Sequence, residues 1–385
     1  MIQSFVVYLS VSLILFALGW HLNMREKQFK LIKPDDELPF WSWEIIVSVI
    51  VITLMMGLRF KTGSDYEMYL LEFQKIKETG HFTREFEPGF YWITWMFAKS
   101  GLHYAFYFGF WALFQALALY YGLRHHKYLL PWVGMVLILG PYGFNWFSFI
   151  RQWTVAMVFV AMIPLIKKKK FIPYLVISLL AISIHKSAWL LIFFYFLPYI
   201  KIKNDSPKNQ LIVFAVCVFL GIWPIWFRLL GYVPVLLDLI GYSKYWPYME
   251  DAANGQFRYM NWGPMHLIMV FSSLIFIYYF PQVKKHYKND KLLPIFFILA
   301  FVGVCYQNLF VSTHYAMLRP IEYLYIIIII MISYTLVFLV ETKKYVQAVM
   351  FCLMTCSYLI ISILKISYGE ITDIGQSVLF HFIFE

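Results

Sequence analysis

Ionisable side chains interrupt an otherwise apolar chain at five places, each with residue types that can hold an anion or move a proton. Arg59 follows Gly57-Leu58 and precedes Gly63-Ser64-Asp65-Tyr66. The glycines permit tight turns, and Ser64 or Asp65 can cap a following helix. Arg59 either snorkels from a helix end or pairs with Asp65. Glu87 stands before Pro88-Gly89-Phe90. It is either a helix N-cap or a carboxylate at a cavity mouth, able to orient a base or accept from a sugar hydroxyl. Asn145-Trp146-Phe147-Ser148 leads into Arg151-Gln152, which open an apolar run. An arginine at a helix start opposes the helix dipole. An anion there would be held by both the guanidinium and the free N–H groups. His185-Lys186-Ser187 separates two short apolar runs. Its imidazole is a candidate general base, or else a hydrogen-bonded packing residue. His314 and Arg319, in the stretch Ser312 to Pro320, precede another apolar run and repeat the pattern of an arginine at a helix start. His266 is a weaker candidate of the same kind.

Several arginines in one set favour phosphate or pyrophosphate. Arg151, Arg319, Arg59 and Lys186 are the anion-binding candidates, and His185, Glu87 and Asp65 stand as alternatives for the base. Gln152, Asn145, Tyr66 and His314 are placed to orient a substrate. No Gly-rich phosphate loop, zinc motif or nucleophile elbow occurs, so neither a metal nor a cofactor is expected.

These residues must be positioned by membrane helices. The 385 residues are 61% hydrophobic, 21% aromatic and only 14% charged, with a mean hydropathy of +0.67. That excludes disorder and leaves too little polar surface for a soluble domain. The net charge of +11 lies in short clusters such as Lys167 to Lys170. Such clusters mark cytoplasmic loops and give no basic groove for nucleic acid. Cys217, Cys305, Cys352 and Cys356 all lie in apolar runs and read as packing residues.

Twelve apolar runs qualify as crossings: Ser4–Trp20, Trp43–Leu58, Tyr104–Leu123, Leu129–Trp146, Phe149–Ile166, Phe171–Ile184, Ala188–Ile200, Leu211–Leu230, Pro264–Phe280, Leu292–Phe310, Pro320–Val340 and Val346–Leu364. The reading is a single all-α integral membrane domain over 1–385, with about 12 spans. The first run lacks a basic start and a clear cleavage site, so it reads as a retained helix. The positive-inside rule puts both termini and the chemical candidates outside. The two runs meeting at His185 are each only about 20 Å long as helices, which suggests a turn sunk below the outer surface. Two outside insertions, 59–99 and 231–263, interrupt the pattern. The first holds the amphipathic segment Tyr66–Lys77 and then Pro88–Ala98, which is too short to span and reads as interfacial or re-entrant.

In order and spacing, Gly57-Leu58-Arg59, Gly63-Ser64-Asp65-Tyr66, Glu87-Pro88-Gly89-Phe90, Asn145 with Arg151-Gln152, Ala181 with His185-Lys186-Ser187-Ala188, and Arg319 resemble the EpsG-like family of exopolysaccharide and capsule polymerases. These are related in role to Wzy-type O-antigen polymerases. The motifs cover the first half of the chain, and the second half matches in hydropathy. Lys186 stands where the family often carries a smaller or neutral residue. The resemblance implies a GT-C-like glycosyltransferase bundle in the bacterial inner membrane. It would transfer a growing glycan from undecaprenyl pyrophosphate to an incoming lipid-linked repeat unit, by an inverting, metal-independent displacement. A flippase and a chain-length regulator would be its partners. The competing readings are a transporter or flippase of lipid-linked oligosaccharide and a membrane O-acyltransferase. The first needs charges at mid-membrane, and His21 is a poor fit to the second.

Overall fold

The computed structural model describes residues 1–32, 38–199, 206–223, 263–312, 315–367 and 378–384. Among them are α1 (Ile2–Ile32), α2 (Trp43–Gly57), α3 (Tyr66–Thr79), α4 (Pro88–Lys99), α5 (Tyr104–Gly122), α6 (Leu130–Leu139) and α7 (Ile150–Lys167). There follow α8 (Phe171–Ile182), α9 (Leu190–Phe194), α10 (Pro207–Ile222), α11 (Pro264–His286), α12 (Leu293–Leu309), α13 (Glu322–Glu341) and α14 (Tyr345–Ser367). The insertion from 231 to 262 and His314 lie outside the described residues.

The centre is α13. Ile326 to Met331 are each 0% exposed, and a helix apolar all round is stable only when enclosed. It is packed by α6, α7, α11, α12 and α14. The periphery shows the opposite pattern. On α14, Val346, Met350 and Leu353 form one stripe at 70%, 67% and 66% exposure. On α8, Ile172, Val176 and Leu179 do the same at 68%, 50% and 54%. Apolar stripes this exposed require a lipid solvent. Among the described residues, five helical stretches are long and apolar enough to cross a bilayer: α1, α7, α11, Met317–Glu341 and α14.

Among the described residues, two of the twelve expected crossings do not form as continuous helices. The run Leu129–Trp146 yields α6 of 10 residues, about 15 Å, or half the hydrocarbon thickness. The chain then turns through Gly140 and Pro141 into a 3₁₀ turn, Phe144–Phe147. Irregular backbone at this depth needs protein around it, and Tyr142, Trp146 and Phe147 are each 1% exposed. The buried Trp146 Nε1 donates to Gln115 Oε1 at 2.6 Å. The run Ala188–Ile200 also breaks up. It begins inside the 3₁₀ turn Lys186–Trp189, passes through the five-residue α9, and ends in a second 3₁₀ turn, Leu197–Tyr199.

The starts of α7 and α13 share one end of the bundle, where Gln152 of α7 reaches the Arg319 carbonyl. Both chain ends arrive there too. Arg59 pairs with Phe382 and Phe60 with His381 in a two-residue antiparallel ladder. Tyr8 donates to the Val378 carbonyl at 2.9 Å, and the Phe380 N–H donates to Ser4 Oγ at 2.9 Å.

Candidate functional site

The α3–α4 insertion and the turn after α8 are locked together at this end. One carbonyl and one carboxylate make the lock. The free N–H groups of α4's first turn, Gly89 and Phe90, donate to the Ser183 carbonyl at 2.8 and 3.2 Å. A Cβ on Gly89 would sit 2.4 Å from Ser183 Oγ, so only glycine allows this approach. In return, the Lys186 N–H donates to Glu87 Oε1 at 2.7 Å. The loop leading to Glu87 is itself pinned, because the buried Glu72 of α3 accepts from the Thr83 N–H at 2.9 Å.

Glu87 occupies the N-cap position of α4 without a side-chain cap hydrogen bond. Its carboxylate instead crosses to other elements. Arg151 Nη1 donates to Oε2 at 2.5 Å, and His185 Nδ1 lies 3.4 Å from Oε1 without hydrogen-bond alignment. Burial works to raise the Glu87 carboxyl, but His185, the Arg151 charge and the Lys186 N–H outweigh it and hold it at about 2. Burial also lowers the His185 imidazole below its ordinary 6.5, as do Arg151 and Arg319, against the upward pull of Glu87. His185 is therefore neutral at neutral pH and able to accept a proton.

Arg151 opens α7 against an aromatic wall. Its guanidinium carbon lies 4.9 Å from the Phe86 ring centre and 5.3 Å from that of Phe90, and its Nε donates to Tyr69 Oη at 3.4 Å. A guanidinium carries five N–H donors, so others remain for a ligand. Arg319 stands in the 3₁₀ turn Tyr315–Ile321, its guanidinium 5.6 Å from the Phe149 ring. Gln152, 3% exposed, fixes that turn by donating to the Arg319 carbonyl at 2.5 Å.

Asp65 joins the same group. Gly63, at φ +102°, turns the chain so tightly that a Cβ would meet the Phe147 carbonyl. The Ser64 N–H then donates to Ser148 Oγ at 3.0 Å, which docks the Asp65 loop beside the start of α7. Burial raises the Asp65 carboxyl above 3.8, opposed by the charges of Arg319 and Arg151. Arg151 holds Glu87 and His185 lies beside the same carboxylate, while Ser148 and Gln152 tie the Asp65 loop and the Arg319 turn to the start of α7, so the five residues gather there.

Other expected site residues are placed differently. Arg59 does not pair with Asp65. It is 1% exposed and boxed by the rings of Tyr66, Phe108 and Phe147 at 5.7, 5.7 and 5.8 Å, with Nη1 on Met56 Sδ at 3.1 Å. Tyr66 is 0% exposed and stacked on Phe108, so its ring belongs to the box and has no open face for substrate. Lys186 is exposed beside the cluster. Asn145 is half-buried, and its carbonyl accepts from the Ser148 and Phe149 N–H groups. His266 is buried at the start of α11. Tyr69 and Glu322 join the site without having been expected there. Tyr69 gave no signal in the amphipathic α3 segment, whereas Glu322 was visible as the lone carboxylate at the head of the run Pro320–Val340. Among the described residues no group of three or more metal-ligating side chains occurs.

Comparison with known proteins gives one result. The model of the EpsG family matches residues 43–373, most of the chain, so the chain belongs to that family. No curated protein and no solved structure matches it.

Proposed function

We propose that this member of the EpsG family is an exopolysaccharide repeat-unit polymerase that moves a growing glycan from undecaprenyl pyrophosphate to an incoming lipid-linked repeat unit. The observation that carries the reading is the meeting of Arg151, His185, Glu87, Asp65 and Arg319, from distant stretches of chain, at one end of a membrane bundle. An acceptor hydroxyl attacks the anomeric carbon while the bond to pyrophosphate breaks, and the electron pair leaves on the pyrophosphate. Arg151 and Arg319 stabilise that charge as it develops. His185, neutral and adjacent, takes the hydroxyl proton. Glu87 is too firmly held as an anion to serve as the base, and instead fixes Arg151 and the His185 turn. The basic clusters at the opposite end, Lys167 to Lys170 among them, favour a site facing outward from the bacterial inner membrane, with both termini outside.

A flippase would need polar groups along its translocation path. The middle of α13 is instead solid isoleucine, which favours surface chemistry over passage. Purified protein supplied with lipid-linked repeat units separates the readings: longer chains, a moved lipid or an acylated sugar. In cells, Arg151→Ala and His185→Ala at normal expression should both lose long polymer, and full-length polymer from both would end the assignment.

A further inference from the structure

At the end of the bundle opposite Arg319, α10 and α11 part to leave a cleft of about 570 Å³, within the roughly 300–1,000 Å³ that small-molecule sites occupy. Its wall on α10 is Lys208, Leu211, Ile212 and Ala215, at the i, i+3, i+4, i+7 spacing of one helix face. Its wall on α11 is Tyr278, Pro281 and Gln282. The face of α10 is thus a cation followed by about 10 Å of apolar surface. The mouth is basic. Lys208 lies in the first turn of α10, where the helix dipole already disfavours a cation and no acidic residue offsets it. Lys344 reaches the other wall. Its Nζ donates to Gln282 Oε1 at 2.9 Å and lies 5.3 and 5.4 Å from the Tyr279 and Phe338 ring centres. The Gln282 amide keeps its two N–H donors. Lys284 and Lys285 close α11 at the same end. Glu341, just before Lys344, is engaged by His286 Nε2 at 3.0 Å and Tyr287 Oη at 2.8 Å.

We propose that this cleft binds an anionic phospholipid of the leaflet at that end, with the phosphate on Lys208 and Gln282 and an acyl chain along Leu211, Ile212, Ala215 and Pro281. A soluble anion would use the cations and leave the apolar stripe bare. A zwitterionic lipid would fill the stripe but bring its own cation against Lys208. An amphiphile with a net negative head matches both parts, as lipid headgroups do in basic pockets between spans. The phosphate also answers the first turn of α10, where Lys208 and the helix dipole present the same sign.

The test uses the full chain, purified in detergent and stripped of lipid. It is titrated with phosphatidylglycerol, with phosphatidylcholine of the same acyl chains, and with glycerol phosphate alone, and bound lipid is counted by native mass spectrometry. Phosphatidylglycerol should bind about tenfold more tightly than phosphatidylcholine, and Lys208→Gln should cut its affinity about fivefold. Ala215→Trp fills the cleft from an exposed position and should weaken both lipids. Lys288→Gln, on the exposed surface beyond the cleft, should change nothing. Equal binding of the two lipids by the wild type overturns the site. So does an equal loss in Lys288→Gln, which would make the preference a property of the whole basic surface. Glycerol phosphate that displaces phosphatidylglycerol at matched concentration also overturns it, in favour of a soluble anion. If Ala215→Trp does not fold, Lys208→Gln decides, since Lys208 is exposed.

Discussion

The bundle carries a polar cluster at each end, and the two are built on opposite terms. At the far end, Asp290 lies between α11 and α12 with both oxygens taken. Oδ2 meets His126 Nε2 at 3.0 Å, Tyr128 Oη at 3.3 Å and Tyr334 Oη at 2.5 Å. Oδ1 accepts from the Leu292 and Leu293 N–H groups at 2.9 and 3.2 Å. At the site end, the Asp65 carboxyl has a single 3.4 Å contact from Ser64 Oγ, and Glu322 Oε2 has no hydrogen bond. A saturated carboxylate ties elements together and has nothing left for a ligand. An unsaturated one costs stability and is worth keeping only for chemistry. The two are separate along α13: Tyr334, which bonds Asp290, stands twelve residues, about 18 Å, from Glu322.

The largest break between the ends should come from Arg151→Ala. Losing one preorganised donor to developing negative charge costs about 3 kcal/mol, a loss of about a hundredfold or more in elongation rate. Arg151→Lys should restore only part of it, since a point charge cannot bridge Glu87 and a ligand as a planar fork does. The measure is the initial rate of chain growth by purified protein, alongside its thermal unfolding in detergent. An unchanged rate would place Arg151 in the structural class with Asp290.

His185→Asn comes next, with a loss on the order of a hundredfold if it removes the base. The pH profile carries the sign. In the proposed mechanism His185 acts as the neutral imidazole, and burial holds it below 6.5. Elongation should therefore stay level through neutral pH and fall only on the acid side of that value. A rate already falling between pH 8 and 7, about where an unburied imidazole begins to gain its proton, would contradict the burial.

Asp290→Asn should act on stability and spare the rate of the folded protein. Burial alone would raise Asp290, but His126, Tyr334 and the Leu292 N–H hold it at about 2 against an ordinary 3.8. The folded-state value is depressed, so its contribution is full above the unfolded value and is lost as pH falls from about 4 to 2. The shift corresponds to about 2 kcal/mol. Unfolding of the wild type should weaken across that window, and Asp290→Asn should flatten the dependence.

What the sequence made legible was local. The starts of α3, α4, α5 and α8 fall at or within a residue of the expected Tyr66, Pro88, Tyr104 and Phe171, because glycine, proline and the edge of an apolar run act over a few residues. The meeting of Arg151, His185 and Arg319 was also readable, since hydropathy alone puts them at one end. Partner choice was not. Glu87 reads equally well as a cap, and only the tertiary approach of the Ser183 turn draws it across to Lys186 and Arg151. Arg59 has the pattern of an anion ligand but folds into an aromatic box assembled from α3, α5 and the 3₁₀ turn Phe144–Phe147. The break after α6 was hidden because Tyr142 and Trp146 are apolar enough to continue a span, while their hydroxyl and indole groups bond to Ser273 and Gln115 in the folded chain.

The smallest effects give the sharpest version of the contrast, because two single hydrogen bonds can be set against each other. Gln152→Leu removes the amide that holds the Arg319 turn to α7, and Tyr334→Phe removes one of the donors on Asp290. Each deletes one bond of about 1 kcal/mol net at a buried position. If the two ends differ as argued, both variants lose similar stability and only one loses rate. Gln152→Leu lets the Arg319 backbone drift from the geometry that a developing charge requires, so elongation of the folded protein should slow several-fold on top of the shift in unfolding. Tyr334→Phe leaves Asp290 with His126, Tyr128 and two backbone donors, so unfolding should come a few degrees earlier with elongation intact. A pair of variants that both lowered the unfolding temperature and both kept full rate would erase the distinction between the ends. Gln152 would then be as structural as Tyr334.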